Sequence, residues 1–310
     1  VTIDISHGSR APGTIPKSRP RRNWTPVLFL LPFFVPFVLF TLLPVGYAAY
    51  QSMLKTVRVG GTFGSKSTVF AGFDQYREVL ADGEFLASVG RVLGFGLVQI
   101  PVMLLLALVL ALLLDSTVAR LKRFFRIVYF VPYGIPGVVA ALMWAFLYDP
   151  RLSPIVDLLR ETGIRPDFLG GGMVLWSMAN VVTWTYTGYN MLIIYAALQA
   201  IPPDIYEAAR VDGAGGTTIA WRVKVPVIRP ALVLTGVFSI IGTLQLFTEP
   251  QVFRSISTSV TSTYTPNLAA FSLASSDNYS EAAAMSVTLA LATFVLSFAF
   301  LKFTGRSDDA

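Results

Sequence analysis

YEAARVDGAGGTTIAWRVKVPVIRP, residues 206–230, is the stretch on which the fold turns, a long polar interruption between two segments apolar enough to cross a membrane. Glu207, Ala208, Ala209 and Arg210 are good helix formers, preceded by the breakers Pro202 and Pro203 and a cap at Asp204. Asp212 and Gly213 then predict a turn, because Asp tolerates turn geometry and Gly supplies positive φ at little cost. After Gly215 and Gly216, a second helical stretch carries Ile219, Trp221 and Val223 to a stop at Pro226. The expected shape is a short helix, a sharp bend and another short helix. Two such helices cannot bury both faces alone. One reading inserts them into another protein's groove; the other packs them on the chain's own membrane domain.

Composition sets the class. Of 310 residues, 54% are hydrophobic and 14% charged, where a soluble domain carries about a quarter charged, so the chain reads as a polytopic membrane protein. It has no cysteine and a single histidine, His7, which exclude a disulfide framework, thiolate chemistry and a histidine metal cluster.

Residues 1–25 read as a disordered tail, rich in Pro, Arg, Ser and Gly. Six apolar runs follow, at 26–50, 86–114, 127–148, 173–200, 231–250 and 282–303, each near the roughly 20 residues that span ~30 Å of hydrocarbon. The first is too long for a signal peptide and is expected to be broken by Pro32, Pro36 and Pro44. Gly134, Pro136 and Gly137 predict a kink or close packing in the third. Phe33, Phe34, Phe37 and Phe40 read as lipid or interhelix contacts. An even number of spans puts both ends on one side. The segments on that side are the N-terminal tail, the connections around Arg120 and around Arg210, and the C-terminal end with Lys302 and Arg306, including a short tail at 306–310. They hold fifteen of the 24 Lys/Arg, which marks that side, and the 206–230 loop, as cytoplasmic. The longer outer loops, 51–85, 149–172 and 251–281, leave room for short surface helices, for example over 73–80.

The order Glu207-Ala208-Ala209, Asp212-Gly213-Ala214 and Val223-Lys224-Val225-Pro226 resembles the EAA loop of binding-protein-dependent ABC importer permeases. Gly213 and Pro226 fall in register with that pattern, and Val223 and Val225 stand for its Ile and Leu. Ala220 departs from its usual aromatic, with Trp221 alongside. The similarity covers about residues 26–305, including Phe130-Val131-Pro132-Tyr133, and points to the carbohydrate branch of maltose and glycerol-phosphate permease type. The Leu-Thr-x-Gly-Gly-Pro stretch of that subunit type is missing after the fifth run.

The resemblance implies an all-α, six-span, type I ABC importer permease fold, with one transmembrane domain over 26–305 and a coupling loop at 202–230. It further implies a second permease, two cytosolic ATPases, an extracellular solute-binding lipoprotein and a sugar cargo, in a prokaryotic inner or plasma membrane. ATP and Mg would sit on the ATPases, with no cofactor on this chain. Glu207, Ala208, Ala209, Asp212, Gly213, Ala214, Trp221 and Pro226 would couple the loop to the ATPase, Glu207 through an ion pair.

Residues 60–67 approach a phosphate-loop spacing from Gly60 to Lys66 and Ser67, but Ser65 replaces the required Gly and no parallel strand precedes it. If transport is driven by ATP, a separate chain must bind it. The fourth run places Asn180, Thr183, Trp184, Thr187 and Asn190 at steps of three and four, hence on one face. Such amides face protein or a water-filled path. With Trp184, Tyr186 and Tyr189 they offer the flat walls and hydroxyl partners that suit a sugar, and by resemblance Tyr189 contacts it. In the fifth run Ser239 and Thr243, and Gln245 and Glu249, are one turn apart and complete the candidate path. Glu249 is either a path residue or an interfacial carboxylate. Two rival functions remain: a secondary transporter, which would lean on Glu249 as its coupling carboxylate, and an integral-membrane enzyme, which lacks a nucleophile–base set.

Overall fold

A computed structural model describes residues 25–59, 65–116 and 120–305. The tails at 1–24 and 306–310 and most of the phosphate-loop-like stretch lie outside the described residues. The chain divides into two compact units, one ending at Tyr47 and the other starting at Ala48.

The first unit contains α1 (Thr25–Phe37), a π-helical turn (Val38–Leu42) and most of α2 (Leu43–Gln51). The expected breaks at Pro32, Pro36 and Pro44 do not occur. Pro32 and Pro36 sit inside α1, and the π turn, with the Leu43 N–H donating to the Val38 carbonyl, adjusts the backbone locally.

The second unit opens with a feature the all-helical reading did not contain: β1 (Leu54–Val59) and β2 (Ser65–Phe70) pair antiparallel, Leu54 opposite Phe70 and Val59 opposite Ser65. Thr56, Val57, Thr68 and Val69 are β-branched, which favours the pleated backbone. The surface helix expected at 73–80 is α3 (Asp74–Ala81). Next come α4 (Gly83–Asp115), α5 (Lys122–Phe130), α6 (Gly137–Tyr148), α7 (Pro154–Glu161) and α8 (Val174–Gln199). The polar loop holds α9 (Pro203–Val211), α10 (Gly216–Ile219) and α11 (Val225–Val227). The chain continues with α12 (Arg229–Leu244), α13 (Thr248–Phe253), α14 (Pro266–Ser275) and α15 (Tyr279–Gly305).

All six apolar runs are mainly helical, the third and fifth each with a short irregular break. Four, Val27–Gln51, Gly83–Asp115, Arg229–Phe253 and Tyr279–Thr304, are long and apolar enough to cross a membrane. The third run is a bent pair, Lys122–Gly134 and Gly137–Tyr148, meeting at 95° around the Gly and Pro residues that predicted a kink. The fourth, α8, has 26 residues but is less apolar because of its Asn, Thr and Tyr content.

α4 and α8 form the spine, with Ala107, Ala111, Met191 and Ile194 wholly buried in one cluster. Gly188 is where α8 meets α5 backbone to backbone: a Cβ there would overlap the Tyr129 carbonyl. Small residues at such crossings let helices approach closely without a side chain between them. One end of the unit gathers Asp115, Gln199 and Lys224, and there Arg229 donates to the Thr304 carbonyl at 3.0 Å. At the other end Arg91 donates to the Tyr264 carbonyl at 2.7 Å and lies 4.4 Å from the centre of its ring.

Candidate functional site

Two helices lose their regular backbone close together. Between α5 and α6 the chain passes through a 3₁₀ turn, Val131–Gly134, and then Ile135 and Pro136. Between α12 and α13 it runs irregularly through Gln245, Leu246 and Phe247. Non-helical backbone at membrane depth leaves polar groups that hydrocarbon cannot satisfy, so it survives only inside protein or along a cavity. Here it lines a cleft of about 580 Å³, whose third wall is α8. Tyr133 stacks on Tyr189 with ring centres 4.6 Å apart and planes 17° apart, and Tyr186 meets Tyr133 edge-on at 5.8 Å. Opposite polar groups, these rings give the cleft an apolar, flat wall.

Of the residues expected along a path, Tyr186, Tyr189, Asn190, Ser239, Thr243, Gln245 and Glu249 line this cleft, whereas Asn180, Thr183 and Trp184 do not. The reason is angular. Successive helical residues turn by about 100°, so Asn180, Thr183, Trp184 and Thr187 share one side of α8 while Tyr186 and Tyr189 point away from it. The polar side binds neighbouring helices. Asn180 donates to the Tyr148 hydroxyl at 2.8 Å, Gln99 donates to the Thr183 hydroxyl at 3.3 Å, and Trp184 packs edge-on to Trp144 at 5.7 Å. Glu249 is 8% exposed and borders the cleft.

Gln99 and Tyr133 were not among the expected site residues. Gln99 is 2% exposed and also accepts from Thr243 at 3.4 Å, so one amide ties α4, α8 and α12 together. Its signal in the sequence was a lone amide within a long apolar helix. Tyr133 had none beyond its place before the kink.

The second constellation is the polar loop. α9 ends in two capping bonds, Gly213 N–H to the Arg210 carbonyl at 3.0 Å and Ala214 N–H to the Ala209 carbonyl at 2.9 Å. With Gly213 at φ +80°, this is a Schellman cap, a left-handed position that Gly occupies without a Cβ penalty. The expected stop at Pro226 is not observed. Helix continues through a π turn (Ala220–Lys224) into α11, and only Ile228 separates it from α12. Pro226 is accommodated because it stands just past the π turn, where Val225 N–H already reaches the Ala220 carbonyl and the regular i→i−4 ladder is interrupted.

One face of the loop is fastened to the bundle. Ile219 and Ile228 are 6% and 2% exposed, and the Tyr206 hydroxyl donates to the Leu198 carbonyl at 3.4 Å. Lys224 pairs with Asp115, their side chains 15% and 7% exposed, while Gln199 donates to the same carboxylate at 2.6 Å. The Lys224 ammonium also lies 4.9 Å from the centre of the Tyr206 ring. Burial, and then the Asp115 carboxylate, push the Tyr206 phenol above its usual range. Asp115 ends α4, where the helix dipole already presents negative charge, so Lys224 offsets two unfavourable terms together. The other face is free among the described residues: Glu207, Ala208, Asp212, Gly213, Trp221 and Pro226 are exposed, Ala209 and Ala214 half-buried, and Val211 is 88% exposed. The loop is thus packed on its own bundle by one face, as one of the two sequence readings has it, and exposed on the other.

The family described as "Binding-protein-dependent transport system inner membrane component" matches residues 103–306. The sn-glycerol-3-phosphate transport system permease protein UgpA of Agrobacterium fabrum is 32% identical over 223 residues, 70% of this chain and 74% of its own length. The protein of the same name from Pectobacterium atrosepticum is 30% identical over 301 residues, 93% and 97% of the two chains. Among solved structures, a bacterial alginate ABC transporter in complex with alginate pentasaccharide-bound periplasmic protein superposes with a TM-score of 0.75 at 19% identity, covering 92% of this chain and 95% of that one. A second structure of a bacterial alginate importer gives 0.73 at 18% identity, covering 92% and 96%. The fold is therefore that of an ABC importer permease.

Proposed function

Because this chain belongs to the binding-protein-dependent transport system inner membrane component family, we propose that it is one of two permeases in an ATP-driven importer, its cleft forming half of the path for a sugar or related carbohydrate. The observation that carries this reading is the two-faced loop at 203–227, bolted to the bundle by Lys224 and Asp115 and open along Val211 and Trp221. A loop built this way transmits force: what seats on the open face moves the helices through the fastened one. The seat is proposed to be a groove on a cytosolic ATPase, with Glu207 pairing a basic residue there and ATP and Mg held by that partner. Two such ATPases, a second permease and an extracellular solute-binding lipoprotein complete the assembly. The basic residues Arg120, Lys122, Arg123, Arg126, Arg210 and Arg222 belong to the segments at the loop's end of the unit, which supports placing that end in the cytoplasm.

ATP binding would draw the ATPases together, and the docked loops would turn the cleft from one side of the membrane to the other. The relatives named above are named for sn-glycerol-3-phosphate and the solved transporters for alginate. Those names support a carbohydrate-type cargo here but do not carry over its charge, both named cargoes being anionic. Copurification from the native membrane followed by mass spectrometry tests the reading: an ATPase, a second permease and a lipoprotein are expected together. Recovery of this chain alone, with uptake that collapses on dissipating ion gradients at constant ATP, would contradict it.

The stacked tyrosines carry a further expectation. Tyr189→Ala removes an aromatic wall of the cleft, and losing a ring contact to the solute worth about 0.5–1.5 kcal/mol should raise the KM for uptake about two- to tenfold with assembly unchanged. Uptake kinetics in reconstituted vesicles would show it.

A further inference from the structure

Among the described residues the cleft is lined by tyrosines, hydroxyls, amides and apolar groups, with one charged side chain, Glu249, and no Lys, Arg or His. Glu249 is more than nine-tenths buried. Among the described residues its carboxylate takes part in no salt bridge. It stands at the start of α13, just past the irregular Gln245–Phe247 segment, and faces the same space as Tyr186 and Ser239. A buried carboxylate that only stabilised the fold would be expected to hold a cation or a set of donors, since burying an unpaired charge is costly. This one is turned toward a cavity large enough for a solute. A negative group in a low-dielectric cleft repels anions and accepts hydrogen bonds from hydroxyls or an ammonium.

We propose that Glu249 makes this path selective against negative charge, so that the cargo is a sugar without phosphate or carboxylate groups, with Glu249 accepting hydrogen bonds from its hydroxyls. The inference rests on the cleft being the translocation path, and the test separates the two. Because the chain has no native cysteine, a single Ser239→Cys reporter can be placed on the cleft wall of the assembled transporter. Its rates with a trimethylammonioethyl and a sulfonatoethyl methanethiosulfonate are then compared, each divided by the reagent's rate with a small free thiol. The cationic reagent should be favoured about tenfold, the scale expected for one nearby charge in a partly screened cleft. Adding Glu249→Gln should remove that preference, while Glu249→Asp, which keeps the charge, should retain it; assembly is checked by size-exclusion chromatography. Equal rates, or a faster anionic reagent, in the Ser239→Cys protein would overturn the selectivity while leaving the path intact. Failure of both reagents to reach the thiol from either side of the membrane would overturn the path and the selectivity with it.

Discussion

Gly213→Val should abolish ATP-driven uptake while leaving the chain inserted in the membrane. Gly213 holds φ +80°, a region where a residue with a Cβ is strained by about 1–2 kcal/mol and a β-branched residue more so. To escape that strain the backbone must abandon the two bonds that cap α9, from Gly213 to Arg210 and from Ala214 to Ala209. No neighbouring atom lies where the added Cβ would be, so the defect is one of backbone direction and not of packing. The spans do not depend on it, which is why insertion should survive. Uptake assays paired with immunoblots of the membrane fraction read both halves, and Gly213→Ala should give an intermediate loss. Normal uptake by the valine variant would refute the role of the bend.

Breaking the Asp115–Lys224 pair should have the next largest effect. Asp115→Asn strands a buried ammonium, and Lys224→Met strands a carboxylate at the negative end of α4. Removing one partner of a buried pair costs about 3–5 kcal/mol, chiefly because the other charge is left uncompensated. The double variant Asp115→Asn with Lys224→Met leaves no charge buried and should recover most of that loss. Thermal unfolding of the purified assembly checks the order of the four proteins: wild type and double variant high, both singles low. Coupling should follow a different order, because the double variant restores stability without restoring the link between loop and α4. It should therefore unfold late and still transport poorly.

What could be read in advance depended on how local each signal was. The bend at Gly213 was legible because one Gly after a helix-forming run has a specific conformational use. The kink near Gly134 and Pro136 was legible for the same reason. The polar stripe on α8 showed which residues share a face, but not which neighbour that face meets. Asn180 and Thr183 accordingly turned out to hold Tyr148 and Gln99, while Tyr186 and Tyr189 reached the cleft. The Asp115–Lys224 pair joins residues 109 positions apart and leaves no periodicity to detect. Pro226 misled because a π turn just before it interrupts the regular i→i−4 bonding and lets helix continue past the proline. The hairpin of β1 and β2 was missed because its polar, Gly- and Ser-rich surroundings read as an outer loop, although each strand has the ordinary length of six residues.

The central claim is that the open face of the 203–227 loop seats on a nucleotide-driven partner. A photo-cross-linking amino acid at Val211, 88% exposed on that face, tests it in the native membrane. The adduct identified by mass spectrometry should be a cytosolic ATPase. Adducts with lipid alone, or with an extracellular solute-binding protein, would contradict the account.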